Sequence, residues 1–250
     1  MARSSADAGA ILGVIAGPDP NDPTAALAAV PDYLAGIAQG VRCQRIGIDR
    51  ALTTAGSDAD MVRTTEEAMS VLTQLGALPR DVCFPSPDAI VRDWTPLCGV
   101  EAAVAHEATY PSRASEYGPV LAGLLELGRG ISSPAVTKIL LRRATFRGQL
   151  DALFRDIDLL VMPVMNVAAP SLADMAAAGR APAAVEALLR FTAPFDMSGH
   201  PTLTLPGGKT ADGLPVGFQI VGRHMEEDLV LRAGCAFQQA TDWHKRRPPV

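Results

Sequence analysis

Asp158-Leu-Leu-Val-Met-Pro163 is a continuous apolar run opened by an acid and closed by a proline. Four apolar residues in succession leave no polar face, so the run reads as a strand buried on both sides and ended by Pro163. Upstream, Gln44-Arg-Ile-Gly-Ile-Asp49 reads as a second short strand. Ala68, Val71, Leu72 and Leu75 then keep the i, i+3, i+4, i+7 spacing of one helix face, and Gly76 stops that helix. A further strand is expected near Asp81–Phe84, which completes a β-α-β unit. Downstream, Thr202-Leu-Thr-Leu205 alternates, Asp212-Gly213 supplies a turn, and Val216, Phe218 and Ile220 alternate again, the pattern of a hairpin. Gly207-Gly208-Lys209 between them reads as part of the turn. Leu229, Ala233, Ala236, Phe237 and Ala240 line one face of a last helix. Strands interleaved with helices predict an α/β fold, a mixed β-sheet flanked by helices.

The remaining segments fit that frame. Ser4-x-x-Asp7 has capping-box spacing and opens a helix from about Ser5 to Ala16. Gly17-Pro-Asp-Pro-Asn-Asp-Pro-Thr24 holds three prolines in eight residues and predicts a loop. Trp94 to Arg155 reads as mostly helical, with Ser133-Pro134 as cap and first helical position of one helix. The Pro/Ala-rich stretch Asn166–Pro182 reads as a surface excursion. No internal repeat or linker divides the chain, so residues 1–250 are read as one unit.

Composition limits the function classes. The chain has 250 residues, 48% hydrophobic and 20% charged, with a net charge of −5. That apolar content supports a packed core and rules out disorder as the main state. A mildly acidic chain without a basic domain predicts no nucleic-acid partner. No apolar run approaches the ~18 residues of a membrane span, so no membrane partner is expected. Asp7 in the basic flank and Gly17-Pro18-Asp19 at the cleavage position argue against a signal peptide. Cys43, Cys83, Cys98 and Cys235 form no C-x-x-C pair and read as small buried residues of a reducing, cytoplasmic protein.

Local motifs for catalysis are absent. His106, His200, His224 and His244 lie far apart in sequence without H-x-x-x-H spacing, so no metal site is predicted and each is read as surface or structural. Neither a phosphate-binding glycine loop nor a G-x-S-x-G elbow occurs, and no cofactor is expected. Ser133 and Lys138 are five apart, a spacing that does not put them on one helix face. Arg142, Arg143 and Arg147, and the tail Lys245-Arg-Arg247, read as solvated surface.

Read in order, several stretches nevertheless resemble the amidase signature family, in its bacterial amidase branch. They are Met1–Asp7 through Gly17–Pro23, Glu101–His106 with Tyr110-Pro-Ser-Arg113 and Glu116-Tyr-Gly118, and Asp158–Pro163. The C-terminal signature is carried by Phe191-Thr-Ala-Pro-Phe-Asp-Met-Ser-Gly-His-Pro201, Asp212–Gly222 and Ala240–His244. The resemblance covers nearly the whole chain and implies hydrolysis of carboxamide C–N bonds to carboxylate and ammonia or amine. It also implies a serine nucleophile, a second serine in a cis peptide and a lysine, a relay that replaces histidine when the lysine is held neutral. All three come from a segment upstream of the position matched by Met1. The only lysines here are Lys138, Lys209 and Lys245, and no Gly-Gly-Ser-Ser-Gly-Gly run exists. No catalytic residue is therefore carried over.

The resemblance implies that residues 1–250 are the C-terminal portion of an amidase signature domain. Either the reading frame is truncated, or the N-terminal half exists as a separate chain. Such a piece is expected to be inactive alone and to expose apolar strand edges and helix faces. Alternatives are a catalytically dead remnant serving as a binding or assembly module, and part of the amidase-like component of a tRNA-linked glutamine amidotransferase. That last branch uses an acid shortly before the segment matching Phe191–Pro201, where this chain has apolar Leu188 and Leu189. A neutral or aryl/acyl amide is accordingly the expected small-molecule substrate. Phe191, Phe195 and Met197 are the candidate pocket residues, with core packing as the competing role for each.

Overall fold

The computed structural model describes residues 1–22, 25, 26, 28–178 and 181–247, apart from the side chain of Pro182. Pro23 and Thr24 of the proline-rich loop, and Gly179 and Arg180 of the Pro/Ala-rich stretch, lie outside the described residues. The elements run α1 (Ser5–Ile15), β1 (Arg45–Ile48), α2 (Arg50–Thr54), α3 (Ala59–Gln74), β2 (Leu78–Asp81), α4 (Asp88–Ala105), α5 (Pro119–Arg129) and α6 (Ser133–Leu153). They continue with β3 (Leu159–Pro163), α7 (Leu172–Ala178), α8 (Pro182–Leu189), α9 (Ala193–Ser198), β4 (Thr202–Lys209), β5 (Pro215–Gly222) and α10 (Glu227–Ala240).

The strands form one sheet in the order β2-β1-β3-β5-β4. β1 lies parallel to both β2 and β3, whereas β5 is antiparallel to β3 and β4, so the sheet is mixed. β3 occupies the centre and is buried at every residue. Its unbroken apolar run follows from strand geometry, since successive side chains point to opposite faces. Leu159 and Val161 enter a core with Ile46, Ile48, Leu72, Phe218, Ile220 and Phe237, under α3 and α10. Leu160 and Met162 enter a second core with Phe84, Phe146, Leu150, Phe154, Phe191 and Phe195, which α4, α6 and α9 cover. Gly47 permits the second core to close, because a Cβ there would stand 2.7 Å from Ile157 Cδ1.

Polar ties hold the sheet and its helices in register. Asp158 accepts from the Arg45 backbone amide at 2.8 Å, from Arg45 Nη2 at 2.8 Å and from Arg223 Nη2 at 2.8 Å. Burial pushes its carboxyl up, but these donors outweigh that and hold it at about 2, below its ordinary 3.8. Gln219, buried in β5, donates through Nε2 to the carbonyls of Pro163 and Phe191 at 2.9 and 2.6 Å. Ser4 caps α1 by accepting from the Asp7 amide at 3.0 Å, as its spacing predicts.

Several expectations change. The second strand pairs through Leu78–Asp81, not 81–84. Phe84 turns away into the second core, and its amide donates to Asp49 Oδ2 at 2.8 Å. Ser132, not Ser133, is the N-cap of α6, and its side chain makes no capping bond. Gly207 and Gly208 lie within β4 at a register shift rather than in the turn. There they let the strand pass Phe218 and Thr64, because a Cβ on Gly207 would stand 2.7 Å from the Phe218 ring. Arg142 lies at the surface as expected but is ion-paired, with Nε and Nη2 donating to Asp93 at 2.6 Å each, and Arg143, half-buried, donates through Nε to the Met197 carbonyl at 2.7 Å. In the basic tail, Arg246 stacks over the Trp243 ring at 3.8 Å. All four cysteines are free, and Cys43 and Cys83 are exposed rather than buried. Exposed apolar residues do concentrate on helices, at Ile11, Val14 and Ile15 of α1, Val120 and Leu127 of α5, and Leu140 and Leu141 of α6. The β2 edge is exposed, but Pro79, Arg80 and Asp81 make most of it polar or proline-blocked. Among the described residues no helix is long and apolar enough to cross a membrane.

Candidate functional site

Parallel strands of an α/β sheet place their ligand-binding loops beyond the carboxyl ends. Beyond β3, the chain leaves Pro163 and passes through residues 166–171 into α7. Asp58, immediately before α3, fixes this passage from both sides. Its amide donates to the Asn166 carbonyl at 2.8 Å, and its Oδ2 accepts from the Ala168 amide at 3.0 Å. Between this loop and α7 and α8 lies a cleft of about 520 Å³. Small apolar side chains dominate its walls: Val167, Ala168, Pro170 and Met175 on one side, Ala184, Ala187 and Leu188 on the other. Among the described residues, the polar lining consists of Asp58, Asn166, Ser171 and Asp174, with no lysine or arginine. Asp174 is engaged with Ser171, whose hydroxyl donates to Oδ2 at 2.6 Å. Asn166, which lines the cleft, keeps its Oδ1 buried without a hydrogen-bond partner. The described lining suits an apolar molecule with a donor group, as an amide is, and contributes no cation for a carboxylate.

The residues singled out in the sequence do not line this cleft and lie in the second core. Phe191, Phe195 and Met197 are all buried there. Phe195 meets Phe84 edge-on at 6.0 Å between ring centroids. The backbone of the same segment is tied by Gln219 at Phe191 and by Arg143 at Met197, while Trp94 Nε1 donates to Asp196 Oδ2 at 3.0 Å. Ser133 and Lys138 are both exposed on α6. Leu188, noted only as an apolar substitute for an acid, is the residue the structure brings into the cleft wall. Asp58 and Asn166 carried no sequence signal beyond their residue type, because their roles come from contacts between distant parts of the chain.

Sequence distance also misleads for the histidines. His200 and His224 lie with ring centroids 4.0 Å apart, and Phe154 stacks on His200 at 5.0 Å. Burial pushes the His200 imidazole down to about 4; His224 and Arg147 add to this, and Asp151 opposes it.

Comparison with known proteins agrees with this architecture. The profile of the family described as Amidase matches residues 1–231. A Mycobacterium tuberculosis protein whose name assigns it as an amidase, AmiD, is 39% identical over 250 residues, covering 100% of this chain and 52% of its own length. A glutamyl-tRNA(Gln) amidotransferase component of Trichlorobacter lovleyi is 31% identical over 271 residues, covering 99% of this chain and 55% of that protein. Among solved structures, 6-aminohexanoate cyclic dimer hydrolase complexed with substrate superposes with a TM-score of 0.86 at 25% identity, over 99% of this chain and 55% of that one. The chain thus spans about half the length of the curated relatives it matches.

Proposed function

The chain belongs to the amidase family, and on that premise we propose that it forms the substrate-facing, non-nucleophilic part of an amidase acting on neutral carboxamides. The observation that carries this reading is the cleft beyond β3, walled by Leu188 and small apolar residues and, among the described residues, lined by no lysine or arginine. A free amino-acid substrate such as glutamine brings a carboxylate, and proteins recognise carboxylates most tightly with arginine. A neutral aliphatic or aryl amide needs only apolar wall and a few acceptors or donors. Likeness to 6-aminohexanoate cyclic dimer hydrolase points the same way. Phe191, Phe195 and Met197, buried in the second core, serve as packed scaffold rather than as cleft wall.

These 250 residues contain no Gly-Gly-Ser-Ser-Gly-Gly run. The serine nucleophile, its serine and lysine relay and the oxyanion donors work as a unit in which losing one member can cost about as much as losing all. The polypeptide of these residues alone is therefore silent toward amides, and the nucleophile comes from other residues, on the same or a separate polypeptide. Four free thiols support a reducing, cytoplasmic setting. Likeness to the glutamyl-tRNA(Gln) amidotransferase component keeps glutamine as the second substrate reading, and the lack of a cation among the described lining residues weighs against it.

The test treats the purified 250-residue chain with an active-site serine probe. It then assays short aliphatic amides, anilides and glutamine, with and without a polypeptide supplying the Gly/Ser-rich segment. No labelling alone, and turnover of neutral amides over glutamine once that segment is present, is the expected result. Stoichiometric labelling of a serine in the lone chain, or a preference for glutamine, would overturn it. Continued silence with the added segment would favour a binding or assembly module instead.

A further inference from the structure

At the end of the sheet opposite the cleft, three metal-ligating side chains from separate elements converge. Asp151 stands in the last turn of α6, His200 follows α9, and His224 follows β5. Their ligand atoms all lie within 4.8 Å of one another. Asp151 Oδ1 is 3.5 Å from His200 Nε2 and 3.7 Å from His224 Nε2. Those separations are long for hydrogen bonds. They approach the ~3.3 Å between ligand atoms around a tetrahedral ion with bonds of ~2.0–2.1 Å.

The polar accounting independently points to a ligand. The His200 side chain has 0% exposure, and its Nε2 is buried with no hydrogen-bond partner; His224 Nε2 is likewise unpartnered. Buried polar atoms in folded proteins are nearly always satisfied, so two facing one carboxylate call for an explanation. His200 Nδ1 lies 3.0 Å from Ser198 Oγ. When Nδ1–H donates there, the Nε2 lone pair faces Asp151 and His224, the orientation that second partners impose on metal-bound histidines. Stacking on Phe154, with the planes at 17°, fixes the ring.

We propose that Asp151, His200 and His224 bind one divalent transition-metal ion, with zinc the best match. Two imidazoles and one carboxylate suit zinc and its late first-row neighbours rather than magnesium or calcium, which take oxygen ligands. Three protein ligands leave one position for water or a small anion. Asp151 is 51% exposed, so the ion has a path from solvent. Since the site lies at the amino end of β3 and the cleft at its carboxyl end, the ion ties α6 to the segments after α9 and β5 and takes no part at the amide. The inference therefore stands apart from the amidase reading.

The chain is stripped with a chelator, reduced, and titrated with Co2+ and then Zn2+. One Co2+ per chain with the visible spectrum of four-coordinate cobalt, its displacement by Zn2+, and a zinc-dependent rise in Tm are expected. Asp151→Asn, at an exposed position, and His224→Gln should each weaken binding by about 10-fold or more. Ser198→Ala should weaken it by ~10-fold through ring orientation. Imidazole resonances of His200 and His224 should broaden selectively with Co2+. Replacing the exposed Cys43 and Cys83 by serine controls for thiol binding and should change nothing. The proposal is overturned by a folded chain that binds no Co2+ at millimolar concentration. Binding that survives Asp151→Asn and His224→Gln, or that vanishes with the cysteines, would overturn it equally.

Discussion

The two faces of the sheet are built by different means. Under α3 and α10, the first core is assembled from helices whose buried residues recur at helical spacing: Ala68, Met69 and Leu72 on α3, Val230, Ala233 and Phe237 on α10. On the second face, α6 spans Ser133–Leu153 yet buries only Ile139, Phe146 and Leu150, and leaves Leu140 and Leu141 exposed. That side is positioned by long-range polar grips, Arg142 on Asp93, Arg143 on Met197 and Gln219 on Phe191. Amphipathicity suffices where a helix lays one apolar face on the sheet. Side-chain to backbone bonds are needed where irregular segments must be held at fixed places.

The sharpest test of this contrast is truncation of Phe195. As a core residue it should cost about 3–5 kcal/mol. Denaturant unfolding of the chain reads this directly. A loss below ~1 kcal/mol would assign Phe195 to a pocket wall and leave the second face without a true core. Next in size, Gln219→Ala strips the donor from two buried carbonyls and should cost about 2 kcal/mol. Gln219→Glu should fare no better, because a carboxylate cannot donate; a neutral result would mean the grips are incidental.

Protonation probes the tie at the edge common to both faces. Asp158 is held at about 2 against an ordinary 3.8. Its folded pKa is depressed, so its contribution is fully present above the ordinary value and is lost as pH falls through the folded one. That difference corresponds to about 2 kcal/mol. Stability of the wild-type chain relative to Asp158→Ala should shrink between pH ~4 and ~2. A gap that stays constant over this range would show that the carboxylate charge is immaterial. The smallest expected effect is at Leu188. Leu188→Arg on the half-buried cleft wall should shift stability by only ~0.5 kcal/mol. In a reconstituted enzyme it should move preference toward carboxylate-bearing amides, as relative kcat/KM would show.

Legibility in the sequence follows the same division. The run 158–163 identified the central strand because a strand buried on both faces has no polar period to hide it. Leu72 and Phe237 announced the first core through spacing. The α6 register was displaced by one residue at Ser132 and Ser133, since consecutive serines offer equal caps. Gly207-Gly208 looks like a turn until Thr64 is seen crossing it. The cleft was legible only at Leu188. Asp58 and Asn166 meet through tertiary folding, as do Asp151, His200 and His224, and no local pattern encodes a contact of that kind.

The Asp58 side chain makes no bond to the first-turn amides of α3 and instead holds the Ala168 amide on the cleft wall. The fraying of that helix end and the order of the loop are thereby thermodynamically linked. A molecule that settles in the cleft and steadies residues 166–171 must slow amide hydrogen exchange in the first turn of α3. The helix whose inner face is committed to one core thus reports, at its tip, on whether the cleft beyond β3 is occupied.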